Sequence, residues 1–288
     1  MIVAGKGGVG KTTVTAVLAR AATEAGRHVL IVELDGKPTL DELVGESSDS
    51  ASPIDVLHLS APEALNEYLQ EHGFARMAKR LTKTGVIDVV GTAAPGIDDV
   101  VVLGKIKQIE RSGEYDLIIV DGPAAGHAVT FLTSATGLGE AARGGPVKAQ
   151  ADDVLDLLGD PDRCSAILVT LPETTPVNET IETAYALEDE VGIRLAPLVV
   201  NGVDQVGGDG LPSDDEAEAA LADVSADEGS ALRAALAFRR SRLEMEAEAI
   251  TRLDQSLPLG LLTLPRLPVA GLSSADVDTL AATLVGDD

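Results

Sequence analysis

The residues best placed to do chemistry come first in the chain. Gly5-Lys6-Gly7-Gly8-Val9-Gly10-Lys11-Thr12 satisfies G-x-x-x-x-G-K-[ST] between an apolar run and a helical pattern, the context in which that spacing cradles a phosphate chain. Each residue type is needed. Glycines permit the φ angles that turn successive N–H groups inward around a β-phosphate, and a helix N-terminus adds partial positive charge. Lys11 then bridges β- and γ-phosphates, and the Thr12 hydroxyl ligates Mg2+. Gly5, Gly7, Gly8, Val9, Gly10, Lys11, Thr12 and Thr13 are therefore the expected nucleotide-binding residues, with ATP and Mg2+ as ligands. The bland alternative is a glycine-rich turn that binds nothing.

A carboxylate stands where such a site needs one. Leu117-Ile118-Ile119-Val120-Asp121 is an apolar strand ending in an acid, at the edge where a parallel sheet presents its ligand, so Asp121 is expected to hold a Mg2+-bound water. Gly122-Pro123-Ala124-Ala125-Gly126-His127 follows. Alone this is a tight turn; next to the phosphate loop it is a switch whose Gly126 N–H can sense a γ-phosphate.

Lys6 departs from the ordinary loop. A lysine between the first two glycines resembles the deviant Walker A class of ATPases, in which it reaches into the partner's nucleotide site across a face-to-face dimer. Within that class, Asp121 to His127 is similar to the Asp-x-x-x-x-Gly-His switch of the arsenical pump-driving and tail-anchored-protein-targeting family, particularly its bacterial members. Ala94-Pro95-Gly96-Ile97 with Leu103-Gly104-Lys105-Ile106-Lys107, Gly144-Gly145-Pro146-Val147, and Val169-Thr170-Leu171-Pro172-Glu173 with Thr180 resemble that family too. The likeness runs from Met1 to about Asp204 and returns weakly near Leu264-Pro265-Arg266. It implies that Asn201 hydrogen-bonds the adenine, that Pro265 and Arg266 line the base pocket, and that His127 belongs to the switch. Glu33 to Glu42 fills the place of switch I, where the family has Asp-Pro-Ala and then a catalytic Asp; this sequence departs from that pattern. Asp35 falls where a carboxylate near Mg2+ is expected. Asp41 and Glu42 compete for the position that orients the attacking water, and either could instead be a carboxylate favoured by a helix dipole.

The elements that must position these residues follow from hydrophobic pattern. Ile2–Ala4, Val29–Val32, Leu117–Val120, Ala166–Val169, Leu198–Val200 and Leu259–Leu264 lack polar alternation, which marks strands buried on both faces of a parallel sheet. Between them, Thr12 to Ala25 stops at Gly26, and Val177, Ile181, Ala184, Leu187 and Val191 form a helical stripe ending at Gly192. The expected fold is α/β, a doubly wound, mostly parallel sheet of the P-loop NTPase kind, in one domain spanning 1–288. Two helical insertions interrupt it. The first, about 60–113, opens on a Ser60/Glu63 capping box with Pro62 in the first turn, followed by Leu65, Leu69, Met77 and Leu81. The second, about 207–256, starts acidic and continues as a helix with Leu232, Leu236, Leu243 and Ile250 on one face.

Bulk properties exclude several function classes. The chain has 288 residues, 45% hydrophobic, with a net charge of -25 and a mean hydropathy of +0.16. Such acidity repels a phosphate backbone, and aromatics at 2% leave no stacking platforms, so nucleic acid is not an expected partner. Cys164 is the single cysteine, which speaks for a cytoplasmic protein without disulfides and against metalloid binding through several thiolates. No apolar run reaches the ~18 residues of a membrane span, and no leader is readable, so no direct membrane insertion is expected. The implied partners are a second copy or a paralogue, and a protein or membrane-protein client. Two other readings stay open: a slowly hydrolysing regulatory subunit, kept alive by the altered switch I, and a positioning ATPase. The stretch 269–288 has no Lys or Arg, which counts against the latter's basic membrane-docking helix.

Overall fold

Aliphatic segments buried on both sides satisfy their main chain through lateral hydrogen bonds, and a sheet is the result. In the computed structural model, which describes residues 1–34, 39–45, 54–71, 73, 96–205 and 210–285, the strands are β1 (Ile2–Gly5), β2 (Val29–Glu33), β3 (Ile54–His58), β4 (Leu117–Ala124), β5 (Ser165–Thr170), β6 (Arg194–Leu195), β7 (Leu198–Val203) and β8 (Leu261–Pro265). They form one sheet in the order β3-β2-β4-β1-β5-β7-β8, with β6 beside β5. Every pairing among the described residues is parallel.

Helices cover both faces, so side chains of one strand enter two cores in alternation. Ile2, Ala4, Leu30, Val32, Val120 and Leu168 pack on one side, beneath α3 (Ala61–Glu71), α4 (Ile97–Ser112), α5 (Ala125–Ala141), α6 (Pro146–Leu158) and α7 (Thr174–Ala186). Val3, Val29, Ile31, Ile119, Ile167 and Val199 pack on the other, against α1 (Lys11–Glu24), α2 (Thr39–Val44) and α10 (Ser274–Val285). The α/β, mostly parallel architecture expected from the sequence is the one observed.

Local stops follow the glycines. Gly26 and Gly192 adopt φ of 77° and 71°, the left-handed region that ends a helix without a Cβ penalty. Before Gly192, α7 widens into a π-turn over Leu187–Val191, closed by the Gly192 N–H donating to the Leu187 carbonyl at 3.0 Å. At α3, the Ser60 Oγ bonds Glu63, and Leu65 and Leu69 are buried as expected; Met77 and Leu81 lie outside the described residues.

The second helical stretch lies mostly outside the core. It holds α8 (Asp214–Ala220) and a 31-residue helix, α9 (Ala226–Ser256). The stripe is buried only toward its C-terminal end: Leu232 is 51% exposed and Ile250 packs against the core, while the buried residues are Gly229, Glu246, Ala249 and Leu253. Only the C-terminal part of α9 reaches the sheet side. Its first half is tied by charge instead, through Arg233–Glu218, Arg240–Asp214 and Arg239–Asp204.

Candidate active site

The phosphate loop leaves the carboxyl end of the central strand β1 and turns into α1. Its tightness has a measurable cause: a Cβ on Gly5 would lie 2.3 Å from the Val169 carbonyl oxygen, and one on Gly10 would lie 2.3 Å from Asn201 Nδ2. Gly10 caps α1 in the left-handed conformation, with φ of 89°. At Gly7 and Gly8 an added Cβ would meet nothing within 4 Å, so the loop is open on that side. Lys11, Thr12 and Thr13 form the first turn of α1, the place where helical N–H groups favour an anion.

Thr12 and Asp121 meet here. The Thr12 hydroxyl donates to Asp121 Oδ2 at 2.6 Å, and Thr15 Oγ1 stands 3.5 Å from Oδ1. Parallel pairing of β1 with β4 creates the meeting, since it brings Asp121 beside Val3 at the start of the loop. Two hard oxygen donors at the mouth of a phosphate cradle fit Mg2+, which keeps waters and phosphate oxygens as its remaining ligands. No group of three or more His, Cys, Asp or Glu residues able to hold a metal occurs among the described residues.

The stretch after Asp121 is more ordered than a flexible turn. Strand β4 continues through Gly122 to Ala124, and Gly126 and His127 fall in the first turn of α5. Gly122 has the reason: a Cβ there would lie 2.4 Å from the Val3 carbonyl oxygen, so β1 and β4 stay in close approach past the carboxylate. His127 and Asp99 line one cavity of about 220 Å3.

Lys6 makes an ion pair within its own chain. Its Nζ donates to Glu179 Oε1, on α7, at 2.6 Å. The candidates of switch I separate. Asp35 lies outside the described residues, whereas Asp41 and Glu42 occupy the first turn of α2. Asp41 is held by His58, whose Nε2 is 3.1 Å from Asp41 Oδ2 and whose Nδ1 is 3.0 Å from Glu33 Oε2. An imidazole between two carboxylates donates from both nitrogens when protonated, and the hydrogen bond to Glu33 is the main cause that raises the His58 pKa above its ordinary value.

At the far side of the loop, β7 and β8 bring Asn201, Pro265 and Arg266 together, with Asn201 opposite Leu264 and Val203 opposite Pro265. Asn201 Nδ2 donates to the Val9 carbonyl at 2.8 Å, which joins this strand end to the phosphate loop. Arg266 Nε donates to the Gly202 carbonyl at 3.2 Å, and its guanidinium lies 3.8 Å from Glu246 of α9.

A comparison with protein families adds to this geometry: the family model described as anion-transporting ATPase matches residues 1–144, half of the chain. The chain belongs to the anion-transporting ATPase family. Among curated proteins it is 32% identical to the ATPase BagA of Mycobacterium tuberculosis over 218 residues, covering 69% of this chain and 64% of the relative. It is 29% identical to an arsenical pump-driving ATPase of Escherichia coli, and 28% to one of Acidiphilium multivorum, each over 200 residues, covering 68% of this chain and 33% of the relative. The aligned chain thus spans less than two thirds of the length of these relatives.

Within this family member, three residues near the site were not singled out by sequence reasoning. Glu33 is 2% exposed and stands in register with Asp121, so His58, Glu33 and Asp121 lie side by side across three adjacent strands. A signal existed for Glu33: Val29–Glu33 and Leu117–Asp121 are each four aliphatic residues followed by an acid. For His58 and Glu179 the pairing is tertiary, and spacing carries no trace of it.

Proposed function

We propose that the chain is a Mg2+-dependent ATPase acting as a dimeric switch, with ATP binding closing two copies, or a copy and a paralogue, and hydrolysis reopening them to change the grip on a partner protein. The observation that carries this reading is the 2.6 Å bond between Thr12 and Asp121 beside an open glycine loop, in a chain of the anion-transporting ATPase family. The arsenical pump-driving relatives support a role in driving the movement of a small anion, and no described helix is long and apolar enough to cross a bilayer.

Each step falls to a residue of this chain. Glycine-loop amides and Lys11 neutralise the β- and γ-phosphates as charge builds during phosphoryl transfer. Thr12, directly, and Asp121, through water, would hold Mg2+, which when bound neutralises phosphate charge. Lys6 serves the partner's nucleotide, Asn201, Pro265 and Arg266 receive the base, and Gly126 at the start of α5 senses the γ-phosphate. Asp41 or Glu42 orients the attacking water.

Single-turnover hydrolysis of ATP tests this. Removing one preorganised charge-stabilising group costs about 10²–10³-fold in rate, so Lys11→Ala and Lys6→Ala are each expected to lose turnover on that scale, and chelation of Mg2+ should abolish it. A second reading has its own observation: Asp41 is held by His58, away from a water-orienting role, as in a regulatory subunit that binds ATP and hydrolyses it slowly. Tight ATP binding by the wild type with no turnover, alone or in cell extract, would decide for that subunit.

A further inference from the structure

Lys6 is needed by a partner in the reading above, yet in the single chain it is already spoken for. Its ammonium donates to Glu179 Oε1 at 2.6 Å across 173 residues of sequence, and the two side chains are 34% and 40% exposed. We propose that Glu179 is a latch: it stores Lys6 against its own subunit and must release it before Lys6 can enter the partner's site. The inference rests on the proposed role of Lys6 in trans and adds the residue that opposes it.

Geometry makes the exchange feasible. The main chain of Lys6 is fixed by the loop, since it follows Gly5, packed against the Val169 carbonyl, and precedes Gly8, whose φ of 88° reverses the chain. Its four-carbon side chain is free to swing about that anchor. Glu179 is in the second turn of α7, the helix that follows β5, and β5 is the parallel neighbour of β1. The acceptor therefore stands on the same rim of the sheet as the loop. Both ends remain open to water, so parting them exposes no buried charge, in contrast to a buried pair whose breaking strands an ion.

The magnitude fits a switch that ATP can throw. A solvent-exposed ion pair biases an equilibrium by about two- to fivefold, and a dimer must open two such latches, so the bias on dimerisation is about four- to twenty-fivefold. A triphosphate carries more negative charge than one carboxylate, and a charge-assisted hydrogen bond to a desolvated phosphate is stronger than one at an open surface. The latch would thus suppress pairing of nucleotide-free copies while yielding to a loaded partner. Glu179 is a positioning residue in this scheme, because it acts through Lys6 and touches no reacting atom.

Sedimentation equilibrium with the β,γ-imido analogue of ATP and Mg2+ tests the latch. Glu179→Gln should dimerise at a protein concentration about four- to twenty-fivefold lower than wild type, while dilute monomer of both binds the analogue equally. Glu179→Asp, which keeps the charge, should return toward wild-type behaviour, and Lys6→Ala should erase the difference that Glu179→Gln makes. If wild type dimerises and Glu179→Gln pairs no more tightly, the latch is wrong and the dimeric switch stands. If wild type never dimerises with the analogue, the latch falls together with the switch between two identical copies, and only pairing with a paralogue is left of the reading above.

Discussion

At the scale of single residues, His58 gives the site a measurable dependence on pH. Its imidazole bridges Glu33, which is buried at the end of β2, and Asp41 on α2. The hydrogen bond to Glu33, with Asp41 adding to it, raises its pKa. A group whose folded pKa lies above its unfolded value stabilises the fold fully below the unfolded value, near 6.5, and loses that contribution as pH rises through the folded pKa. Because the side chain is 45% exposed, solvent screening keeps the gain within about 1 kcal/mol. His58→Gln should therefore lower the melting temperature by a few degrees at pH 5.5 and by progressively less as pH is raised through 7 to 9. A deficit that stays constant over that range would mean His58 acts by packing alone. Part of this site was legible: the glycine loop and Asp121 announce themselves because their chemistry needs fixed types at fixed spacing. His58 does not, because an imidazole's partner is set by strand register.

At the scale of elements, what the sequence reveals depends on how completely each one is buried. Strands β1, β2, β4, β5 and β7 show as aliphatic runs because both faces are covered, whereas β3, Ile54-Asp55-Val56-Leu57-His58, lies at the sheet edge with Ile54 its one buried residue and carries too little apolar signal to stand out. Helix α9 shows the reverse failure: its leucines share a helical face, but a face is buried only if another element meets it. The start of α4 offers a further test. Asp99 lies in its first turn, lining the same cavity as His127 of α5. Burial, reinforced by Asp98 and opposed by His127, pushes its carboxyl up to about 6. Here the sign is opposite to the usual carboxylate: the folded state prefers the protonated acid, so stability is lost as pH rises from the unfolded value near 4 through 6. Asp99→Asn removes that cost, on the order of 1–2 kcal/mol after allowing for partial solvent access. Thermal melts should show the variant several degrees more stable than wild type at pH 8, with the advantage shrinking toward pH 4. A variant less stable at pH 8 would show that the ionised carboxylate holds α4 against α5.

At the scale of the whole molecule, the dominant electrostatic fact is the imbalance of 47 acidic against 22 basic residues. Local ion pairs use the few cations well, as in the ties of Arg233, Arg239 and Arg240 to the acidic segment around α8. Those pairs are exposed and each is worth about 0–1 kcal/mol, and salt weakens them. The surplus of negative charge repels itself over longer distances, and salt weakens that repulsion too. The two effects have opposite signs, and a net charge of -25 decides between them, because 47 acids face only 22 bases. Raising NaCl from about 10 mM, where the screening length is about 30 Å, to about 1 M, where it is about 3 Å, should raise the melting temperature. It should also strengthen the proposed ATP-dependent dimerisation, which would bring two such bodies together along with their nucleotides. Screening has a built-in limit. Once its length falls below the spacing between neighbouring surface charges, more salt has nothing left to screen, so the rise should flatten toward 1 M; a melting temperature that falls steadily with salt would mean that the ion pairs of α8 and α9, and not the surplus charge, govern the stability of the fold.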